Sequence, residues 1–181
     1  MDKVNPTTPD EWWLSDLELS NKFMPLVIDI LKRFFSFNSL TDNQGTEKDR
    51  QGKDITLING NEKINIGVRI RRWCNPEKPK IIYHKYDEYT EDDKERDTMI
   101  CDWHFYAYVN EKYTDFYSWI LFDHSDFVEG KKNKLLLVGR EKNQDHSTVC
   151  FSTYPLCLIK KYCAHASFGN IGKKPIQQPI L

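Results

Sequence analysis

The stretch from Gln51 to Arg72 limits the fold more tightly than any other part of the chain. Within it Ile64, Ile66, Val68 and Ile70 alternate with Asn65, Gly67, Arg69 and Arg71, the period of a strand with one apolar and one polar face. A second short apolar run, Ile55 to Ile58, lies upstream, and Asn59-Gly60 separates the two. That dipeptide suits the positive φ angles of a tight turn, so the pattern predicts an antiparallel hairpin. The turn length sets the register. Two turn residues at Asn59-Gly60 bring Asp54 opposite Asn65, four bring it opposite Gly67, and either places Asp54 on the polar face with Arg69. A three-residue loop would turn one strand over.

The segment leading into this hairpin, Glu47-Lys48-Asp49-Arg50-Gln51-Gly52-Lys53-Asp54, resembles the D-x-x-G-x-D segment of the PD-(D/E)XK nucleases, in particular their phage-type and Holliday-resolvase-like members. The resemblance covers roughly residues 14 to 125. It implies an α/β fold of mixed α+β type: a central mixed β-sheet with flanking helices and a restriction-endonuclease-like core over 14–125. An N-terminal arm (1–13), a C-terminal extension of the same domain (126–166) and an irregular tail (167–181) complete the expected layout.

In that family an Asp and the acid of an E-x-K motif bind a divalent metal, and the Lys helps activate water. Position by position, Asp54 takes the place of the Asp, Gly67 falls where the Glu should be and Arg69 where the Lys should be. Glycine brings no side-chain oxygen to a magnesium ion, and a guanidinium stays protonated and cannot act as a base. The resemblance therefore implies Mg or Mn held by Asp54 with Glu18 or Asp49, and Arg69 gripping a phosphate. Glu47 is a further acid of the same loop. Arg71, Arg72, Tyr106 and Asp102 would contact nucleic acid or a protein partner. The function expected is that of a phage-type nuclease-fold protein with impaired or lost catalysis, which binds a host defence protein or nucleic acid. The alternative is an active divalent-metal-dependent DNA or RNA endonuclease with a rearranged site.

Charge bears on the partner. The 181 residues carry a formal net charge of −1, so the chain as a whole does not attract nucleic acid and any such binding must come from a local basic patch. The acidic run over residues 87–97 favours a protein partner and reads as a solvated helix or loop. The five cysteines include no C-x-x-C pair, as expected of reduced, mostly buried thiols. Cys157, Cys163 and His165 match no common zinc spacing. An apolar run of about 18 residues and a basic-then-apolar leader are both missing, so the expected location is the cytoplasm, that of the host if the protein is phage-borne, with no membrane partner.

Along the chain, Thr8-Pro9-Asp10-Glu11 predicts a short helix presenting Trp12 and Trp13. Ser15-Asp16-Leu17-Glu18 repeats the capping pattern and opens a longer helix to about Phe35, burying Phe23, Val27, Ile30, Leu31 and Phe34. A polar loop spans 36–52. Further strands are expected over 81–83, over 101–109 with Cys101, Trp103, Phe105, Ala107 and Val109 on one face and Asp102, His104, Tyr106 and Tyr108 on the other, and over 116–122. Asp123-His124-Ser125-Asp126 has no elbow glycines, and its neighbours point apart, which excludes a hydrolase triad there. Strands over 135–138 and 149–152, a helix over 155–163 and a tail from Ser167 complete the reading.

Overall fold

The computed structural model describes residues 9–44, 46, 53–72, 85–89, 101–136, 139–142 and 150–169. The expected strands over 81–83 and the loop residues 47–50 lie outside them. Strands β2 (Ile55–Asn59) and β3 (Glu62–Arg71) form the hairpin. Its last pair is Asn59↔Glu62, so the turn residues are Gly60 and Asn61, one step later than Asn59-Gly60. Gly60 has φ +60°, in the first turn position, where a type II′ turn requires glycine. That one-step shift moves the register by two. Ile55 pairs Ile66, and continuing the same register brings Asp54 level with Gly67.

The hairpin is part of a six-stranded sheet. It runs β1 (Ser39–Asp42), β2, β3, β5 (Trp103–Val109), β6 (Phe116–Asp123), β9 (Ala164–Gly169). The β3–β5 pair is parallel and the other four are antiparallel. The result is the mixed sheet with flanking helices that was expected, of α+β class. A smaller sheet of three strands joins β4 (Lys85–Tyr89), β8 (Cys150–Pro155) and β7 (Gly139–Lys142), with β8 in the middle.

One face of the large sheet is covered by α1 (Pro9–Leu31). Phe23, Val27, Ile30 and Leu31 of this helix pack with Ile55, Leu57, Ile66, Phe105, Trp119 and Leu121 in one buried cluster. The two helices expected here are one. The chain passes through Ser15–Glu18 without a break, and through Pro25 as well. Proline lacks an N–H and crowds the preceding turn, but Pro25 is exposed while its neighbours Phe23, Met24 and Val27 are buried, and burial of that face outweighs the local cost. The helix stops at Leu31 rather than Phe35. Phe34 and Phe35 nevertheless reach back to the sheet, their ring centroids 5.9 Å from Trp119 and 5.3 Å from Trp103.

The opposite face is covered over β5 and β6 by α2 (His124–Lys132) and α3 (Leu156–Tyr162). Tyr106, Tyr108, Ile120 and Phe122 of the sheet bury there with Phe127, Leu156 and Ile159. Five elements correct the sequence reading, two of them being β1, a strand inside the expected loop 36–52, and β7, which follows the expected strand over 135–138 and leaves Leu135 and Leu136 outside any strand. Residues 124–132, of which the sequence reading took up only the polar start His124-Ser125-Asp126, form α2 because the Asp123 side chain caps it, accepting from the Ser125 and Asp126 amides and satisfying donors that a helix start leaves open. The acidic run begins as a strand, since Asp87, Glu88 and Tyr89 pair with Thr153, Ser152 and Phe151. Ser167 does not begin the tail: it pairs with Ile120, and Gly169 with Ser118.

Candidate functional site

On the polar face of the hairpin, the Asp54 carboxylate accepts a hydrogen bond from the Val68 amide, while its own carbonyl accepts from Asn43, 2.9 Å away. Strand β2 begins at Ile55, so an amide of β3 beyond that point needs another acceptor. Asp54 supplies it with its side chain and so prolongs the ladder. Gly67 is buried, and Arg69 is exposed beside its register partner Tyr106. Arg71 is half-buried and donates from Nε to the Tyr106 hydroxyl at 3.2 Å, which lies 3.3 Å from that of Tyr108. Both tyrosine rings are buried. Tyr106 therefore belongs to the interior, with its hydroxyl satisfied from within, and does not present its ring at the surface. Arg72 is half-buried just past β3. Asp102 is exposed and accepts from the Asn65 amide at 2.7 Å and the Asn65 side chain at 3.2 Å.

Among the described residues the expected carboxylates Asp54 and Glu18 are not brought together. Glu18 is exposed on α1, the helix on the sheet face lined by Ile55 and Leu57, whereas Asp54 alternates to the other face. Asp49 and Glu47 lie outside the described residues. Asp54 accepts from a backbone amide and stands level with a glycine. Magnesium favours several oxygen ligands in near-octahedral array, and of the expected ones Glu18 lies on the other face from Asp54.

A different set of donors does converge on that face. The ligand atoms of Cys101, His104 and His124 all lie within 4.8 Å of one another. His104 is the second residue of β5, in register with Gly67 on one side and Phe122 on the other. Its ring stacks on Phe122 at 4.9 Å and meets Phe127 edge-on at 6.4 Å. His124 opens α2, so the Asp123 cap that starts the helix fixes its backbone, and its ring centroid lies 4.9 Å from that of His104. Its Nδ1 stands 2.7 Å from His104 Nε2, and the two share one hydrogen bond. Cys101 Sγ is 3.4 Å from the same Nε2. Cys101 was expected on the Trp103 face. Because β5 starts at Trp103, after a bend at Asp102, the strand alternation does not reach Cys101, and its sulfur turns to the His104 side.

Cys101 and His104 are both held in their uncharged forms. Burial, aided by the charges of Asp54 and Asp102, pushes the Cys101 thiol up to about 12, against the pull of the Cys101 and Gly67 backbone hydrogen bonds. Burial and then the neighbouring His124 push His104 down to about 3. At neutral pH this is a thiol beside a neutral imidazole. A cysteine nucleophile needs thiolate character, which here is suppressed. A thiol and imidazoles in this arrangement could hold a metal ion. Cys163 and His165 are engaged elsewhere, with Cys163 Sγ 3.6 Å from the Asp126 carbonyl and His165 Nε2 3.5 Å from the Asp126 carboxylate.

Sequence reasoning missed this cluster because His104 and His124 meet only once β5 and β6 are paired and α2 is capped. The single local signal was the spacing Cys101-x-x-His104. Among the described residues no helix is long and apolar enough to cross a membrane. No protein-family model, curated protein or solved structure matches this chain.

Proposed function

We propose that the chain is a nuclease-fold protein of phage type whose hairpin site has impaired or lost catalysis, and that it acts by binding a host defence protein or a nucleic acid. The observation that carries this reading is the seat of Asp54: level with Gly67 and not with an acid, its carboxylate accepting from the Val68 amide. A helix ahead of the hairpin and a strand beside β3 agree with the layout of the resembled fold. The exposed side chains of Arg69 and Asp102 offer charges of both signs on one sheet face, which suits a protein surface better than a run of phosphates. The net charge of −1 points the same way.

The test is calorimetry with magnesium and manganese on the native protein and on Asp54→Ala, followed by cleavage assays on single- and double-stranded DNA and RNA. The expected result is no Asp54-dependent uptake of either ion and no cleavage. Cleavage that needs Mg or Mn and disappears in Asp54→Ala would instead establish the alternative, an active endonuclease with a rearranged site. Nucleic-acid binding without cleavage, weakening steeply with salt, would select that partner over a protein.

A further inference from the structure

From their geometry we infer that Cys101, His104 and His124 form a zinc-class metal site with three protein ligands and one open position. The inference does not rest on the nuclease-fold reading, since it uses none of that family's site residues. Sulfur and imidazole nitrogen are the donors that favour zinc and its neighbours in the transition series over magnesium, manganese or calcium. At the usual bond lengths, tetrahedral angles separate two ligand nitrogens by about 3.3 Å and a nitrogen from a sulfur by about 3.6 Å. The sulfur stands 3.4 Å from His104 Nε2 and 3.8 Å from its Nδ1, against the ring, and has to swing toward the Nε2 lone pair to share an ion with it. The two nitrogens, 2.7 Å apart around a shared proton, have to separate by roughly 0.6 Å to admit the ion.

The proton balance is simple. Cys101 gives up its thiol proton, and the imidazole holding the shared proton moves it to its other ring nitrogen, so each ligand offers a lone pair. Phe122 and Phe127 pack against the His104 ring, and the His124 backbone is held at the start of a capped helix. Such supports are what keep metal ligands aimed. Cys101 and His104 are buried while His124 is half-buried, so the fourth position opens on the His124 side. Three protein ligands with one vacancy are the pattern of zinc sites that bind water or an anionic oxygen.

The experiment uses the full chain, reduced and stripped with a chelator, and titrated with zinc by calorimetry and with cobalt by absorption. Native protein is expected to take up cobalt with a tetrahedral visible spectrum and a sulfur-to-cobalt charge-transfer band. Cys101→Ser removes that band although four other cysteines remain, and His124→Gln weakens zinc binding by roughly tenfold or more. Metal-free melting curves of each variant show whether it folds. Should Cys101→Ser not fold, His124→Gln at its half-buried position decides. Native protein without a charge-transfer band, or a folded His124→Gln that binds zinc as tightly as native, overturns the site.

Discussion

The two faces of the large sheet are built by different means. Under α1 the buried cluster consists of aliphatic and aromatic side chains, held by area and packing alone. Under α2 and α3 the same strands bury His104, Tyr106, Tyr108, Ser118 and Cys101 among the apolar residues. Buried polar groups must find partners or cost stability. His104 has His124 and Cys101, while the tyrosines have each other and Arg71. The dry face holds the fold together and the polar face carries chemistry, so substitutions on the two should separate stability from ligand binding.

The largest stability effect belongs to the dry face. Phe105 is fully buried, with ring centroids 5.7 Å from Phe116 and 5.8 Å from Trp119. Phe105→Ala should cost about 3–5 kcal/mol, read from denaturant unfolding, while any metal affinity measured below the transition stays as in native protein. A loss of zinc affinity as large as that of His124→Gln, in folded Phe105→Ala, would show that the two faces are not independent.

Acid should act through the other face. His104 in the folded protein has its pKa lowered from 6.5 to about 3, so below pH 6.5 the unfolded chain takes a proton that the folded one refuses. Stability then rises with pH across the window from about 3 to 6.5, by up to about 1.4 kcal/mol per pH unit for one proton. His104→Gln should flatten that slope in metal-free protein, whatever it does to the midpoint at pH 7. Cys101 gives the mirror effect. Its raised pKa means that the unfolded thiol ionises first above pH 9, and stability falls from there toward about 12.

Asp54 separates a structural carboxylate from a catalytic one. If its role is to accept from Val68, Asp54→Ala leaves a backbone donor without that acceptor and should cost about 1–3 kcal/mol, whereas Asp54→Asn, which keeps a carbonyl oxygen, should cost clearly less. Equal losses in both variants would mean that the negative charge matters more than the hydrogen bond.

How far the sequence could be read follows the same division. The hairpin, β5, β6 and the buried stripe of α1 were legible because each exposes its period within a few residues, as Ile64, Ile66, Val68 and Ile70 do. Asp54 was found as a singular residue, but its use depended on a turn displaced by one position to Gly60-Asn61. Helix α2 was hidden because Asp123 looks like one more charge in a polar cluster until it caps. Strand β9 was hidden because Ser167 and Gly169 carry no strand propensity of their own and are recruited by the edge of β6, a tertiary decision. The cluster of Cys101, His104 and His124 combines both difficulties: it needs the register of two strands and the start of a helix before its three donors share a neighbourhood.

The smallest effect tests whether the polar face is tuned or merely tolerated. Ser118 pairs with Tyr108 across β5 and β6, is 2 % exposed, and its hydroxyl finds no partner among the described residues. Such a group carries its desolvation cost without a compensating bond. Ser118→Ala removes the hydroxyl and leaves a gap of one oxygen, so the expected change in unfolding free energy lies between zero and a gain of about 1 kcal/mol. A clear loss would mean that the hydroxyl is bonded in the working protein, extending the chain of polar contacts from Arg71 through Tyr106 and Tyr108 one residue further. In that case the face would behave as a connected network, and Tyr108→Phe combined with Ser118→Ala would cost measurably less than the sum of the two single substitutions.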